Sequence, residues 1–90
     1  MTAMVTVEVT PDASGWRCAV EVGKGQSRHT VRVRAEDLQR WGRPGETPER
    51  LAARAFDFLL DREPASSILR SFDLTDVERY FPEFDREIRR

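Results

Sequence analysis

Cys18 and His29 are the one cysteine and the one histidine of the chain. They are the residue types from which a thiolate–imidazole dyad is built. Such a dyad needs an activated thiol and an imidazole oriented by a third group. Both residues fall in stretches of strict alternation and belong to the same parity class, so they should face one side of a sheet. Alternation places Cys18 in the core as a small hydrophobe. His29 opens its strand near a loop, and no third residue stands at a suitable spacing. The pair therefore reads as structural: Cys18 should react slowly with thiol reagents, and His29→Gln should leave folding unaffected. One Cys and one His are too few for a structural zinc site. A lone cysteine also forms no disulfide within the chain, which fits a reducing compartment.

The carboxylates offer two close pairs. Asp57 and Asp61 stand four residues apart and share a helix face with Arg50 and Arg54, which reads as a solvated charged stripe. Asp73 and Asp76 are neighbours in sequence, but Asp76 suits the first turn of a helix. No EF-hand spacing, P-loop or dinucleotide fingerprint is present. No catalytic, cofactor-binding or metal-binding residue is expected, and an enzyme is the least favoured class.

Two groups remain as binding candidates. Arg17, Arg28, Arg32 and Arg34 should share the wet face of a sheet. Such a face binds single-stranded nucleic acid when aromatic rings interleave with the basic groups; here none does, because Trp16 has the opposite parity. Arg32 and Arg34 are the candidate contacts for this nucleic-acid-binding or antitoxin-like alternative. The net charge of −1 gives no global attraction to nucleic acid. The second group is Arg62 and Glu63, ahead of Pro64, where a charged stop separates two apolar segments in FLLDREPASSILRSF. This stop reads as a corner: Arg62 suits the last turn of a helix, and Pro64 pushes Glu63 into extended conformation. Arg62 is expected to donate to the helix's last carbonyls or to a tail carboxylate such as Asp73 or Asp76.

The elements that position these residues follow from periodicity. Val5, Val7 and Val9 alternate with polar residues. So do Trp16, Cys18, Val20 and Val22, and then His29, Val31 and Val33. Period two with β-branched residues means half-buried strands, and the turn-rich gaps at 10–15 and 23–27 make two hairpins. If Val9 lies opposite Trp16, Glu8 lies opposite Arg17 as a cross-strand ion pair. Strands one and three should then be open edges, and VTVEV carries no lysine or proline guard.

From residue 35 the pattern is helical. AEDLQRW makes two turns before Gly42. Thr47 and Pro48 supply an N-cap and a first-turn proline for a helix running to about Arg62. Its apolar residues, from Phe58 round to Ala53, span roughly 220°, against the ~100° stripe of an ordinary surface helix. It should therefore be covered from two sides, by the sheet and by the tail. In the tail, Ser66 or Ser67 can cap a short helix, Thr75 and Glu78 have capping-box form, and Pro82 can open a last turn.

The segment FLLDREPASSILRSFDLTDVERYFPEF resembles a group of small bacterial proteins. That group is marked by FLL-x-REP-x-x-SIL-x-x-FDL and a YFPE-like ending, here Phe58–Leu60, Arg62–Pro64, Ser67–Leu69, Phe72–Leu74 and Tyr80–Glu83. The resemblance covers about residues 48–88. It carries no established activity, so it implies no catalytic residue; it implies that residues 48–88 act as one unit.

The sequence thus predicts a single α+β domain. A three-stranded antiparallel meander, about residues 4–34, is followed by a central helix and a tail of short helices, about 35–90. The expected role is a non-enzymatic protein–protein interaction or self-associating module without cofactor, working with a protein partner or as a homo-oligomer. MTAMVTVEVT lacks a basic and an apolar leader region, and no stretch is long enough to span a membrane, so the expected location is the cytoplasm.

Overall fold

A computed structural model describes residues 4–90. Met1–Ala3, the start of the segment in which no leader is expected, lie outside the described residues. The order is β1 (Val5–Asp12), β2 (Gly15–Val22), β3 (Ser27–Arg34), α1 (Ala35–Trp41) and α2 (Pro48–Arg62), then a 3-10 turn (Ala65–Ser67), β4 (Ser71–Asp73), α3 (Leu74–Tyr80) and α4 (Phe84–Ile88). The α+β class and the antiparallel β1–β2–β3 meander are as expected.

Alternation decides the two faces of the sheet. Cys18, Val20, Val22, His29, Val31 and Val33 are buried, and Val5, Val7 and Val9 lie half-buried on the same side. The register differs from the expected one. Val9 faces Cys18, Glu8 faces Ala19, and Pro11 faces Trp16. Strand β1 runs on through Asp12, so only Ala13 and Ser14 turn the chain, and the Glu8–Arg17 pair does not form. The tight turn needs a glycine at position 15, because a Cβ there would run into the Val33 carbonyl oxygen and come within 2.6 Å of the Arg34 Cα.

The sheet has four strands, not three. β4 pairs parallel to β3, with Val31 opposite Phe72, so β3 is not an open edge. Three residues are too few to show a period, which is why Phe72 reads as part of an apolar tail. His29 helps hold this strand. It is buried, and its Nδ1 donates to the Leu69 carbonyl (2.8 Å), because a carbonyl can only accept. Its Nε2 then accepts from the Ser27 hydroxyl (2.9 Å). This burial reverses the expectation that His29→Gln is harmless. Ser66 and Ser67 fall in the 3-10 turn rather than capping an α-helix.

Helix α2 takes its Thr47 cap, whose hydroxyl accepts from the Arg50 amide at 3.2 Å. The apolar arc is covered from two sides as expected. α2 packs on the sheet with Leu51, Ala52, Ala55, Phe56 and Leu59 buried in the core, while Phe58 meets Phe81 and Phe84 of the tail with ring centroids 5.9 and 5.1 Å apart. Ile68, Leu74, Val77, Phe84 and Ile88 are buried in the same cluster. The box on α3 starts two residues earlier than expected. Asp73 is the N-cap, and the Asp73 amide donates to the Asp76 carboxylate (3.0 Å). Burial of Leu74 as the first helical residue fixes that start.

Candidate functional site

The Arg-Glu-Pro corner is built by the end of α2. Glu63 and Pro64 are both extended, and the Glu63 amide donates to the Leu59 carbonyl at 2.9 Å. Arg62 is held at three points. Its Nη1 donates to the Phe58 carbonyl (3.2 Å), its Nε reaches the Glu83 carboxylate (3.2 Å), and its guanidinium lies 3.6 Å from the Phe58 ring centroid. The bond to a last-turn carbonyl is as expected, and the tail carboxylate is Glu83 rather than Asp73 or Asp76. Both of those aspartates are engaged at the start of α3, whereas α4 begins directly beside the end of α2. The Glu83 backbone amide and Arg62 hold the Glu83 carboxyl below its ordinary range.

Beneath this corner opens a cleft of about 330 Å3. Its walls are apolar: Leu59 of α2, Ile68 and Leu69 after the 3-10 turn, Phe72 of β4, and Val77, Tyr80 and Phe81 at α3. Ser67, Glu63 and Asp76 complete the lining. The Glu63 carboxylate makes no ion pair among the described residues. Leu69 and Tyr80 stand out of the cleft at 53% and 68% exposure; with Met4 they are the exposed large hydrophobic residues among those described. The cleft lies inside the stretch 58–81 that the sequence singles out, but its existence was not legible there.

Arg32 and Arg34 lie elsewhere, on the outer face of the sheet. Asp12 is shared by Arg17 (4.0 Å) and Arg32 (3.7 Å), and Arg34 reaches Asp73 at 3.2 Å. A shallow hollow on this face mixes Glu8 and Glu21 with Arg28 and Arg70. The four sequence candidates therefore fall on two surfaces, Arg62 and Glu63 at the corner and Arg32 and Arg34 on the sheet.

The other reactive-looking groups are accounted for. Cys18 is fully buried, and burial, reinforced by the charge of Glu49, pushes its thiol up to about 11. Both ring nitrogens of His29 are taken by Leu69 and Ser27. Partial burial and then the charge of Asp61 raise Asp57 above the usual aspartate value, but neither aspartate meets a cation among the described residues. No group of three or more His, Cys, Asp or Glu among the described residues could hold a metal ion.

Arg54 departs from the expected solvated stripe. Its guanidinium grips Glu46 at 2.6 and 2.7 Å and donates to the Ile88 and Trp41 carbonyls. It thereby ties the α1–α2 connection, α2 and the last helix together. The Glu46 side chain is only 5% exposed, and its bond to Arg54 holds its carboxyl below the ordinary value.

No protein-family model, curated protein or solved structure matches the chain.

Proposed function

We propose that this chain is a small non-enzymatic protein–protein interaction module whose contact surface is the cleft under the Arg62–Glu63–Pro64 corner. The observation that carries the reading is an open apolar cleft flanked by exposed Leu69 and Tyr80, with an unpaired Glu63 carboxylate on its rim. The fitting occupant is a short partner segment that inserts one or two apolar side chains and places a lysine or arginine beside Glu63. Aromatic and aliphatic anchors in a pocket carry most of the energy of such contacts, and a rim charge sets specificity and on-rate. The lone buried thiol accords with work in the cytoplasm, and no helix among the described residues is long and apolar enough to cross a membrane. The resemblance of residues 48–88 to the small bacterial group fits this reading, since the whole cleft falls within that segment.

The test is selection from a displayed peptide library with the purified chain. Enriched peptides should pair an apolar residue with a basic one. Leu69→Asp and Tyr80→Ala should abolish capture without lowering the melting temperature, and Glu63→Gln should weaken the preference for the basic residue. Capture indifferent to both cleft variants would sink the proposal. Nucleic-acid binding is the competing reading. It would show as salt-dependent oligonucleotide binding lost in Arg32→Ala/Arg34→Ala. The aspartates that occupy Arg17, Arg32 and Arg34 weigh against it.

A further inference from the structure

The second surface is the free edge of β1, and its atoms specify a partner. Gly23 donates to the Met4 carbonyl at 2.7 Å, one step beyond the Val5–Val22 pair and in the same register. Hydrogen-bonded and non-bonded pairs alternate along an antiparallel ladder. Thr6, Glu8, Thr10 and Asp12 therefore also turn their amides and carbonyls toward β2. Val5, Val7 and Val9 turn theirs outward, away from any strand. Pro11 is the only guard on this edge, and it stands near the end of the strand.

The same three valines are incompletely covered underneath. Cys18, Val20, Val22, Val31 and Val33 are buried, yet Val5, Val7 and Val9 are only partly buried. Helix α2 lies under β1 and β2, while α1 and α3 lie toward β3. Phe58 marks the flank of α2 that meets the tail. At 100° per residue, Leu60 and Ala53 lie on the opposite flank, on the side of the β1 edge, and both are half-buried. An open backbone ladder thus runs beside a strip of half-covered apolar side chains.

We propose that β1 pairs antiparallel with β1 of a second copy, centred on Val7, to give a continuous eight-stranded sheet. The register follows from the edge. Outward residues must bond to outward residues, so the two-fold axis passes through Thr6, Val7, Glu8 or Val9. An axis at Glu8 sets two carboxylates face to face, which is destabilising, and places Pro11, with no amide to give, against Val5. An axis at Val9 uses Pro11 twice, and one at Thr6 joins only two pairs of described residues. The axis at Val7 joins Val5 to Val9, Val7 to Val7 and Val9 to Val5. It uses every outward amide of the three valines and sets Thr6 opposite Glu8. A two-fold interface is self-complementary by construction, and a second copy is the partner that supplies outward valines at the required spacing.

Sedimentation of the full chain from micromolar to millimolar concentration should show a reversible monomer–dimer equilibrium. Thr6→Glu, an exposed change that sets two glutamates against Glu8 across the axis, should raise the dissociation constant about tenfold. Adding Glu8→Lys should restore it. Thr6→Cys mixed with Glu8→Cys should crosslink under mild oxidation, because facing non-bonded pairs bring Cα atoms to about 4.5 Å, within disulfide reach. Neither variant alone should do so. A monomeric mass throughout overturns the proposal, as does a dimer indifferent to Thr6→Glu. A dimer abolished by Leu69→Asp would place self-association in the cleft and overturn it too, so failure here is distinct from failure of the cleft reading.

Discussion

Cys18 shows how burial silences a reactive residue type. Its thiolate would have to form in the apolar core, opposite Val31 of β3, and that cost, reinforced by the charge of Glu49, pushes its pKa to about 11. The native protein at neutral pH should therefore label with a thiol reagent only as fast as it unfolds; immediate labelling of the folded protein would refute the burial. His29, which faces Val20 across the β2–β3 ladder, has a different role. His29→Gln should lower stability by about 1 to 3 kcal/mol, measured by urea denaturation, if Gln leaves the Leu69 carbonyl without its donor. Glu46 and Asp37 titrate with opposite consequences. The Glu46 carboxyl is lowered by Arg54, so its contribution is present above the ordinary value of 4.5 and is lost as pH falls through the lowered native value. Glu46→Gln should accordingly flatten the acid limb of stability against pH. The Asp37 carboxyl is raised above its ordinary 3.8, first by burial, despite its bond from the Arg34 amide. Its contribution is full below that value and is lost as pH rises through the raised native value. Asp37→Asn should thus hold stability better than wild type toward neutral pH, provided the amide oxygen keeps the cap.

At the scale of elements, Pro64 and Arg62 form one device. Pro64 stops α2, and Arg62 closes its last turn on the Phe58 carbonyl while reaching across to Glu83 at the start of α4. Arg62→Ala should lower the melting temperature through the loss of about 1 kcal/mol, the sum of a half-exposed ion pair and a cation–π contact. Peptide capture by the cleft should survive at temperatures where the variant stays folded. Unchanged melting with lost capture would instead make Arg62 part of the recognition surface. Helix boundaries were legible at Thr47, Pro48 and Pro64, because capping chemistry and proline act through adjacent residues alone. The start of α3 was misread by two residues. Thr75–Glu78 and Asp73–Asp76 both have the form of a capping box, and burial of Leu74, a tertiary event, chose between them.

At the scale of the molecule, the tail is part of the core, to which it gives Ile68, Leu74, Val77, Phe84 and Ile88. Phe84 is fully buried between Trp41 and Phe58, with ring centroids 5.2 and 5.1 Å away. Phe84→Ala should cost roughly 3 to 5 kcal/mol. Deletion of residues 66–90 should leave a chain without a cooperative thermal transition, and cooperative melting of the truncated chain would show that the sheet and α2 suffice alone. Sequence by itself determined the meander, the face of each strand, the extent of α2 and the need for a tail to cover it. These follow from side-chain period and local capping, which act within a few residues. Tertiary structure decided the rest: the fourth strand, the partner of Arg62, the Glu46–Arg54 clamp, the burial of His29 and the cleft. Apart from the Glu46–Arg54 pair, eight residues apart across a helix start, each joins residues far apart in the chain, where no spacing rule operates. The choice among several equally suitable carboxylates or apolar faces was made only when packing brought one of them within reach.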